Sequence, residues 1–231
     1  MKTIFATRAQ DEMHPLTLPE QIAERIYLSI IEGEFQFGER IREDSLAKQY
    51  QVSRGPVREA LRILEKDSVV VIQPHRGAHV TELTPEEVRD IFAIRKALIG
   101  LAIRNITGID NKVFADWQAM VSRMAEIADQ PDAQDEYILN SARIHLDIAD
   151  QSGNARLAEI IHSLARQTFR YTKIALSTAR SRNKSAAIWQ EIITNIRASR
   201  LDTAADLAGT LIDMSCQNAI SYLQSQDQKT A

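Results

Sequence analysis

Residues 43–80 combine two short helical patterns with two strand patterns that follow them. A tight turn separates the two helical patterns, and Ser53 can cap the second of them. The strand patterns enclose a turn that contains Pro74 and Gly77, which is typical of a hairpin. This order predicts a winged helix-turn-helix, whose second helix can enter a DNA major groove about 12 Å wide.

The rest of the chain shows helical periodicity and no strand pattern. A capping box at Thr84-Pro85-Glu86-Glu87 marks the start of this second domain. We expect its helices near residues 84–106, 110–129, 134–151, 154–180, 184–200 and 202–225. The break between the fourth and fifth is placed at Ser181-Arg182-Asn183. The expected fold class is mostly α, with an N-terminal winged helix-turn-helix and a C-terminal all-α bundle of six to seven helices.

These patterns divide the chain into four segments. Residues 1–16 are expected to form an N-terminal extension, 17–82 the winged helix-turn-helix, 83–226 the helical domain and 227–231 a C-terminal tail. The single cysteine, Cys216, excludes an intrachain disulfide. Because the sequence has neither the apolar core of a signal peptide nor an apolar run of membrane length, we expect a cytoplasmic protein without a membrane partner.

Charge is distributed unevenly along the chain. Residues 40–80 contain eight Lys and Arg against five Asp and Glu, whereas the whole chain has a net charge of −3. A basic segment in an otherwise acidic chain fits a protein that binds DNA with one part only. A solvated helix face would give the same charge pattern, so charge alone leaves both interpretations open.

The first turn of the second helix carries the residues best suited to reading DNA. Arg54 and Arg58 are four positions apart and share one helical face, and arginine can fork onto O6 and N7 of guanine. Gly55 permits close approach of the backbone, and Ser53 can bond a phosphate while it caps the helix. The alternative is an ion pair of Arg58 with one of these groups: Glu59, Glu65 or an acid of a neighbouring domain.

The motif Val52-Ser53-Arg54-Gly55-Pro56-Val57-Arg58-Glu59-Ala60-Leu61, followed by Arg76-Gly77-Ala78-His79-Val80, closely resembles the GntR family of transcription regulators. The resemblance implies that Arg54 and Arg58 contact bases, and that the wing reaches the minor groove or the backbone. The expected DNA-binding residues are Ser53, Arg54, Gly55, Pro56, Arg58, His75, Arg76 and Gly77. An acid is a poor DNA contact, so Asp44 is assigned none.

The helical domain resembles the FCD effector domain of the FadR subfamily. The resemblance rests on Ile94-Arg95-Lys96-Ala97-Leu98, on Ile144-His145 and on Ser152-Gly153-Asn154. It implies that this domain binds a small-molecule effector and forms a homodimer. The expected ligand-binding residues are Arg95, Ser141, His145 and Trp189.

Many FCD domains hold a metal through one Asp and three His. Here Ser141 stands at the position of the Asp and Trp189 at that of the second His, and Thr210 and Asp213 lie near the third. Only His145 matches a family ligand, and one histidine does not make a divalent metal site. We therefore expect no metal, no other cofactor and a more apolar pocket.

Each pocket residue has a second interpretation. Arg95 suits the carboxylate of an effector, but it could equally pair with Asp147 or Asp150 of the bundle. A histidine at the position of His145 is more often a core residue than a ligand. Trp189 could be simple core or the wall of an apolar pocket.

Together these features predict a ligand-responsive repressor. It is expected to bind a short palindromic double-stranded DNA operator as a homodimer and to respond to a small anionic effector, an organic acid. An enzyme is the first alternative, but no nucleophile–base pair or phosphate loop supports it. The second is an architectural DNA-binding protein without an effector, which a fully packed helical domain would favour and a cavity of a few hundred cubic ångströms would oppose.

Overall fold

The computed structural model describes residues 16–230, with side chains to residue 225. The chain divides into two compact units, Met1–Leu83 and Thr84–Ala231. Residues 1–15 of the expected N-terminal extension lie outside the described range.

The first unit contains three helices and a small antiparallel sheet. In chain order these are α1 (Leu18–Glu32), β1 (Arg40–Ile41), α2 (Glu43–Tyr50), α3 (Arg54–Lys66), β2 (Val70–Gln73) and β3 (Gly77–Val80). The sheet order is β1-β3-β2, so β3 lies in the centre. The predicted helix-turn-helix and wing are both present.

Strand β1, which precedes the helix-turn-helix, was not predicted from the sequence. Two residues are too few to show an alternating pattern, and the strand exists because Arg40 and Ile41 pair with His79 and Ala78 of β3. The pairing buries Ile41, which is 2% exposed. It also fixes the base of the wing to the chain that leads into α2.

Local signals position the first unit's helices. The Thr17 backbone N–H donates to Glu20 Oε2 at 2.8 Å, which anchors the start of α1. Gly33, with φ of 84°, ends this helix in the left-handed conformation. Helix α1 packs on α3, which turns Val57 and Leu61 into the core and leaves its opposite face in solvent.

The second unit is entirely helical over its described residues. Its elements are α4 (Pro85–Arg104), α5 (Asn111–Ile127), a short 3-10 helix (Pro131–Ala133), α6 (Gln134–Gln151), α7 (Ala155–Ala175), α8 (Ala179–Arg197) and α9 (Leu201–Thr230). Helix α9 packs along α4 and also contacts α7 and α8. The expected mostly α fold, a winged helix-turn-helix followed by a helical bundle, is confirmed.

The predicted break at Ser181–Asn183 is wrong, because α8 already begins at Ala179. Thr178 caps this helix by accepting a hydrogen bond of 3.1 Å from the Ser181 backbone N–H. Although the run Ser181-Arg182-Asn183 is polar, Ser181 and Arg182 are both buried in the first turn of α8.

Arg182 is 2% exposed and satisfies the carbonyl groups at the ends of two other helices. Its Nε donates to the carbonyl oxygen of Ala128 at 2.8 Å, just after α5. One terminal nitrogen donates to the carbonyls of Leu176 and Ser177, at 3.2 and 3.1 Å, just after α7. Its positive charge thus lies where helix C-termini leave acceptors unpaired.

Helix α9 continues to Thr230, through most of the segment 227–231 that was expected to be a tail. Among the residues that the structure describes, none of the helices combines the length and the apolarity needed to cross a bilayer.

Candidate functional site

The turn between α2 and α3 presents the predicted reading residues. Gln51 ends α2 with φ of 54°, and the Val52 backbone N–H donates to the Ala47 carbonyl at 3.0 Å, which closes the turn. Ser53 occupies the N-cap position of α3, as predicted, but its hydroxyl makes no capping hydrogen bond. Ser53 and Gly55 are exposed on the first unit, so a ligand can reach the first turn of α3.

Arg54 and Arg58 lie on the exposed face of α3, and each meets an acid from the first turn of α2. Arg54 Nε is 2.6 Å from Asp44 Oδ1. Arg58 Nε donates to Glu43 Oε2 at 2.7 Å. Glu59 and Glu65, the alternative partners that the sequence suggested for Arg58, do not pair with it. Glu59 pairs with Arg62, and Glu65 accepts from the Ile72 backbone N–H.

The predicted wing residues form the tip of the β2–β3 hairpin. His75 has φ of 61° and Gly77 has φ of 85°, so both adopt the left-handed conformation that this tight turn requires. The Arg76 backbone N–H donates to the Gln73 carbonyl at 3.1 Å, while the side chains of His75 and Arg76 are exposed. The wing therefore presents a basic tip to solvent.

Three of the four predicted ligand residues line one cavity in the helical unit. Arg95 comes from α4, and Ser141 and His145 come from α6. Helices α7, α8 and α9 close the remaining sides. The cavity has a volume of about 30 Å³, which is room for one or two water molecules. It is much smaller than the pocket expected for a metabolite.

Arg95 has no acidic partner among the described residues. Its terminal nitrogen donates to Thr172 Oγ1 at 3.4 Å, and its guanidinium carbon lies 4.8 Å from the centre of the Phe92 ring. The acids proposed as alternative partners are engaged elsewhere, Asp147 with Trp117 and Asp150 with His162. Burial lowers the pKa of Arg95 to about 10, so the side chain is still a cation at neutral pH.

Trp189 and His145 form an edge-to-face pair, with ring centres 4.9 Å apart. The Trp189 indole N–H donates to Ser141 Oγ at 3.0 Å. Burial, with a smaller effect of the Arg95 charge, lowers the pKa of His145 to about 3, so its imidazole is neutral at pH 7. The ring hydrogen-bonds the Ser141 backbone, while Nε2 is buried without a partner among the described residues.

Trp189 does not line the cavity, although a direct ligand contact was predicted. It is fully buried beside Ser141 and His145, and its indole N–H donates to the Ser141 hydroxyl. Thr172 and Ser215 do line the cavity, and sequence reasoning missed both. Isolated hydroxyl residues on amphipathic helices give no signal in a single sequence.

The residues at the family's metal-ligand positions do not fit a metal. Ser141 and Trp189 are hydrogen-bonded to each other, and Asp213 pairs with Lys96, neither of which lines the cavity. His145 is left as a single nitrogen ligand. Among residues 16–225, no three His, Cys, Asp or Glu side chains come together in a way that could hold a metal ion.

Two family models match the chain. The model of bacterial regulatory proteins of the gntR family matches residues 18–80, and the FCD domain model matches residues 90–214. The first covers the helix-turn-helix and wing, and the second covers most of the helical unit.

Individual relatives agree with these matches. The HTH-type transcriptional regulator YdhC of Bacillus subtilis is 46% identical over 74 residues, 32% of this chain and 33% of YdhC. The gluconate operon transcriptional repressor of B. subtilis is 25% identical over 125 residues, 54% of this chain and 51% of the repressor. The chain thus spans about a third to a half of the length of these relatives. The structure of Escherichia coli McbR/YncC has a TM-score of 0.71 at 20% identity, covering 92% of this chain and 99% of that one, which shows a shared fold.

Proposed function

The chain belongs to the GntR family of bacterial regulatory proteins and carries an FCD domain, and from this premise we propose that it is a ligand-responsive repressor that acts in the cytoplasm. The family makes it a DNA-binding transcriptional regulator and not an enzyme. Support for repression comes from similarity to the gluconate operon transcriptional repressor. Repression, the operator and the effector are the parts of this proposal that experiment has to test.

The proposed DNA target is a short operator with two-fold symmetry, bound by a homodimer. One helix-turn-helix reads a single half-site, and a symmetric dimer places two reading heads at a fixed spacing. The observation that supports DNA reading is the first turn of α3, where Arg54 and Arg58 are exposed on one face. The basic wing tip, with His75 and Arg76, supplies a second contact.

Selection of bound sequences from a random duplex library tests this part. The expected product is an inverted repeat, and sedimentation of the free protein at micromolar concentration should give a dimer. Recovery of single half-sites together with a monomer in sedimentation would contradict the proposal. A reporter under the selected operator should fall in expression when the protein is present, and a rise would identify an activator.

The proposed effector is a small organic acid whose anionic group binds Arg95. The observation that carries this proposal is a partly buried guanidinium with a hydroxyl neighbour, Thr172, and no acidic partner in the part of the chain that the structure describes. Burying a cation without an anion beside it costs free energy. A bound anion offsets this cost through charge-assisted hydrogen bonds. Because the cavity holds only about 30 Å³, binding requires movement of lining side chains, and the large apolar ones are Phe169, Leu176, Leu211 and Ile212.

An architectural protein without an effector is the second candidate function, and the small cavity favours it. The FCD match and the unpaired Arg95 favour an effector. A thermal-shift screen with small carboxylates and their uncharged amides separates the two, because a ligand of the native state raises the melting temperature. We expect shifts with one or more carboxylates and none with the matching amides, and a complete absence of shifts would support the architectural role.

The variant Arg95→Gln then tests the anchor. We expect it to bind the carboxylate found in the screen at least ten-fold more weakly, since a charge-assisted pair is lost. Lys96→Gln is the matched control, because Lys96 is the next residue on α4 and pairs with Asp213 outside the cavity. Equal binding by Arg95→Gln and the wild type would remove Arg95 from the site.

A further inference from the structure

We propose that Asp44 and Glu43, on the first turn of α2, set the DNA specificity of this protein by holding the guanidinium groups of Arg54 and Arg58. The inference rests on the proposed function, in which these two arginines read base edges. The acids are positioning residues, since they act on DNA through the arginines.

The two pairs share one geometry. In each, the arginine nitrogen that meets the carboxylate is Nε, at 2.6 Å from Asp44 and at 2.7 Å from Glu43. The acids are adjacent on α2, and the arginines are one turn apart on α3. The packing of the two helices therefore produces two similar ion pairs on the exposed face of α3.

Engagement of Nε leaves the outer edge of each guanidinium available. The group has five N–H donors in a planar fork, and the two terminal nitrogens carry four of them. These can bond O6 and N7 of guanine while Nε still donates to the carboxylate. A long side chain that is already held loses less rotamer freedom when it binds, so the acids prepare the arginines for a base edge.

The same pairing disfavours contact with phosphate. Affinity for the DNA backbone is electrostatic and increases with each phosphate that a cation neutralises. An ion pair between an arginine and a carboxylate has no net charge, and the carboxylate also repels a nearby phosphate. A guanine edge is uncharged and gains mainly from hydrogen-bond geometry, so the acids penalise random DNA more than a matching site.

Other residues of this unit provide a matched comparison. Arg62 lies on the same helix and is also exposed and paired, but its partner Glu59 lies on α3 itself, one turn before it. Glu59→Gln therefore removes the same charge from the same exposed surface without freeing a reading arginine. It controls for the general effect of charge on DNA affinity.

The test uses the selected operator and a scrambled duplex of equal length, with fluorescence anisotropy at several salt concentrations. For Asp44→Asn and Glu43→Gln, we expect about ten-fold tighter binding to scrambled DNA, with an unchanged or lower operator affinity. The salt dependence on scrambled DNA should steepen by about 0.9 for each arginine that gains a phosphate contact. Glu59→Gln should change both affinities alike.

A further variant separates the orientation of the arginine from its charge. Asparagine keeps an oxygen that can accept from Nε, whereas Asp44→Ala removes it, so Asp44→Ala should lose more operator affinity than Asp44→Asn. If the Asp44 and Glu43 variants behave like Glu59→Gln, the acids act only through net charge and this inference is overturned. If Arg54→Ala and Arg58→Ala leave operator affinity unchanged, base reading itself fails, and the proposed function loses that step.

Discussion

The indole N–H of Trp189 donates a 3.0 Å hydrogen bond to the hydroxyl of Ser141, and both residues are buried between α6 and α8. The two positions are those at which the resembled FCD family is expected to carry an Asp and a His that bind metal. In this chain a neutral hydrogen bond between a hydroxyl and a buried indole that does not line the cavity stands there instead. Among the described residues that line the cavity, Arg95 has no acidic partner, and His145 Nε2 and Ser185 Oγ are buried without a hydrogen-bond partner.

The Trp189–Ser141 bond should be measurable as a coupling energy. Ser141→Ala leaves the buried indole N–H without an acceptor, and we expect the free energy of unfolding to fall by about 1–3 kcal/mol. In a Trp189→Phe background the same change should cost clearly less, since the donor is already absent. Urea denaturation of the wild type, the two single variants and the double variant gives a double-mutant cycle. If the two substitutions have additive effects on the free energy of unfolding, the hydrogen bond contributes no stability.

His145 should make the helical unit less stable in mild acid. Its folded-state pKa of about 3 lies below the ordinary histidine value of 6.5, so the unfolded chain binds the proton more readily. The stability due to a neutral His145 is present above about pH 6.5 and is lost as the pH falls towards 3. We expect a loss of about 1–2 kcal/mol between pH 6.5 and pH 5.

The test measures the free energy of unfolding at several pH values, with tryptophan fluorescence as the signal of unfolding. The slope of this free energy against pH is then compared between the wild type and two variants. Both tryptophans, Trp117 and Trp189, are buried in the helical unit, so the signal reports on that unit. His145→Gln should flatten the slope, whereas His75→Gln, which removes an exposed histidine of the wing, should not. A slope that His145→Gln leaves unchanged would count against a neutral buried imidazole.

Arg182 should be one of the most sensitive positions of the bundle. Arg182→Met keeps much of the apolar volume but leaves the carbonyls of Ala128, Leu176 and Ser177 without this donor. We expect a loss of about 2–4 kcal/mol, because each buried acceptor that loses its partner is costly. Arg180→Met, an exposed neighbour on the same helix, should change stability by less than about 0.5 kcal/mol.

Arg54→Ala and Arg58→Ala should each weaken operator binding by about 1–3 kcal/mol without unfolding the protein. Both side chains are exposed, so the melting temperature should stay close to that of the wild type. Lys48→Ala, on α2, should weaken operator and scrambled DNA by the same factor, as expected for a phosphate contact. Equal losses on both duplexes for Arg54→Ala would contradict base reading by that residue.

Local signals in the sequence determined the type of fold. The Thr17–Glu20 and Thr84–Glu87 capping boxes both form, and each involves residues only three positions apart. The motif at residues 52–61 identified the recognition helix because its signals are also local. The start of the helix, its exposed face and its buried face can all be predicted from residues that are close together in the sequence. Apolar periodicity over many residues was enough to predict an all-helical second unit.

Only the tertiary structure decided which polar groups meet. Arg95 and Thr172 are 77 positions apart, Arg182 and Ala128 are 54 apart, and Trp189 and Ser141 are 48 apart. No local pattern encodes such partners, because they depend on how helices with similar apolar faces pack together. For the same reason the sequence left Arg58 with several candidate acids and Arg95 with two, and it could not indicate that the cavity between the helices has room for only one or two water molecules.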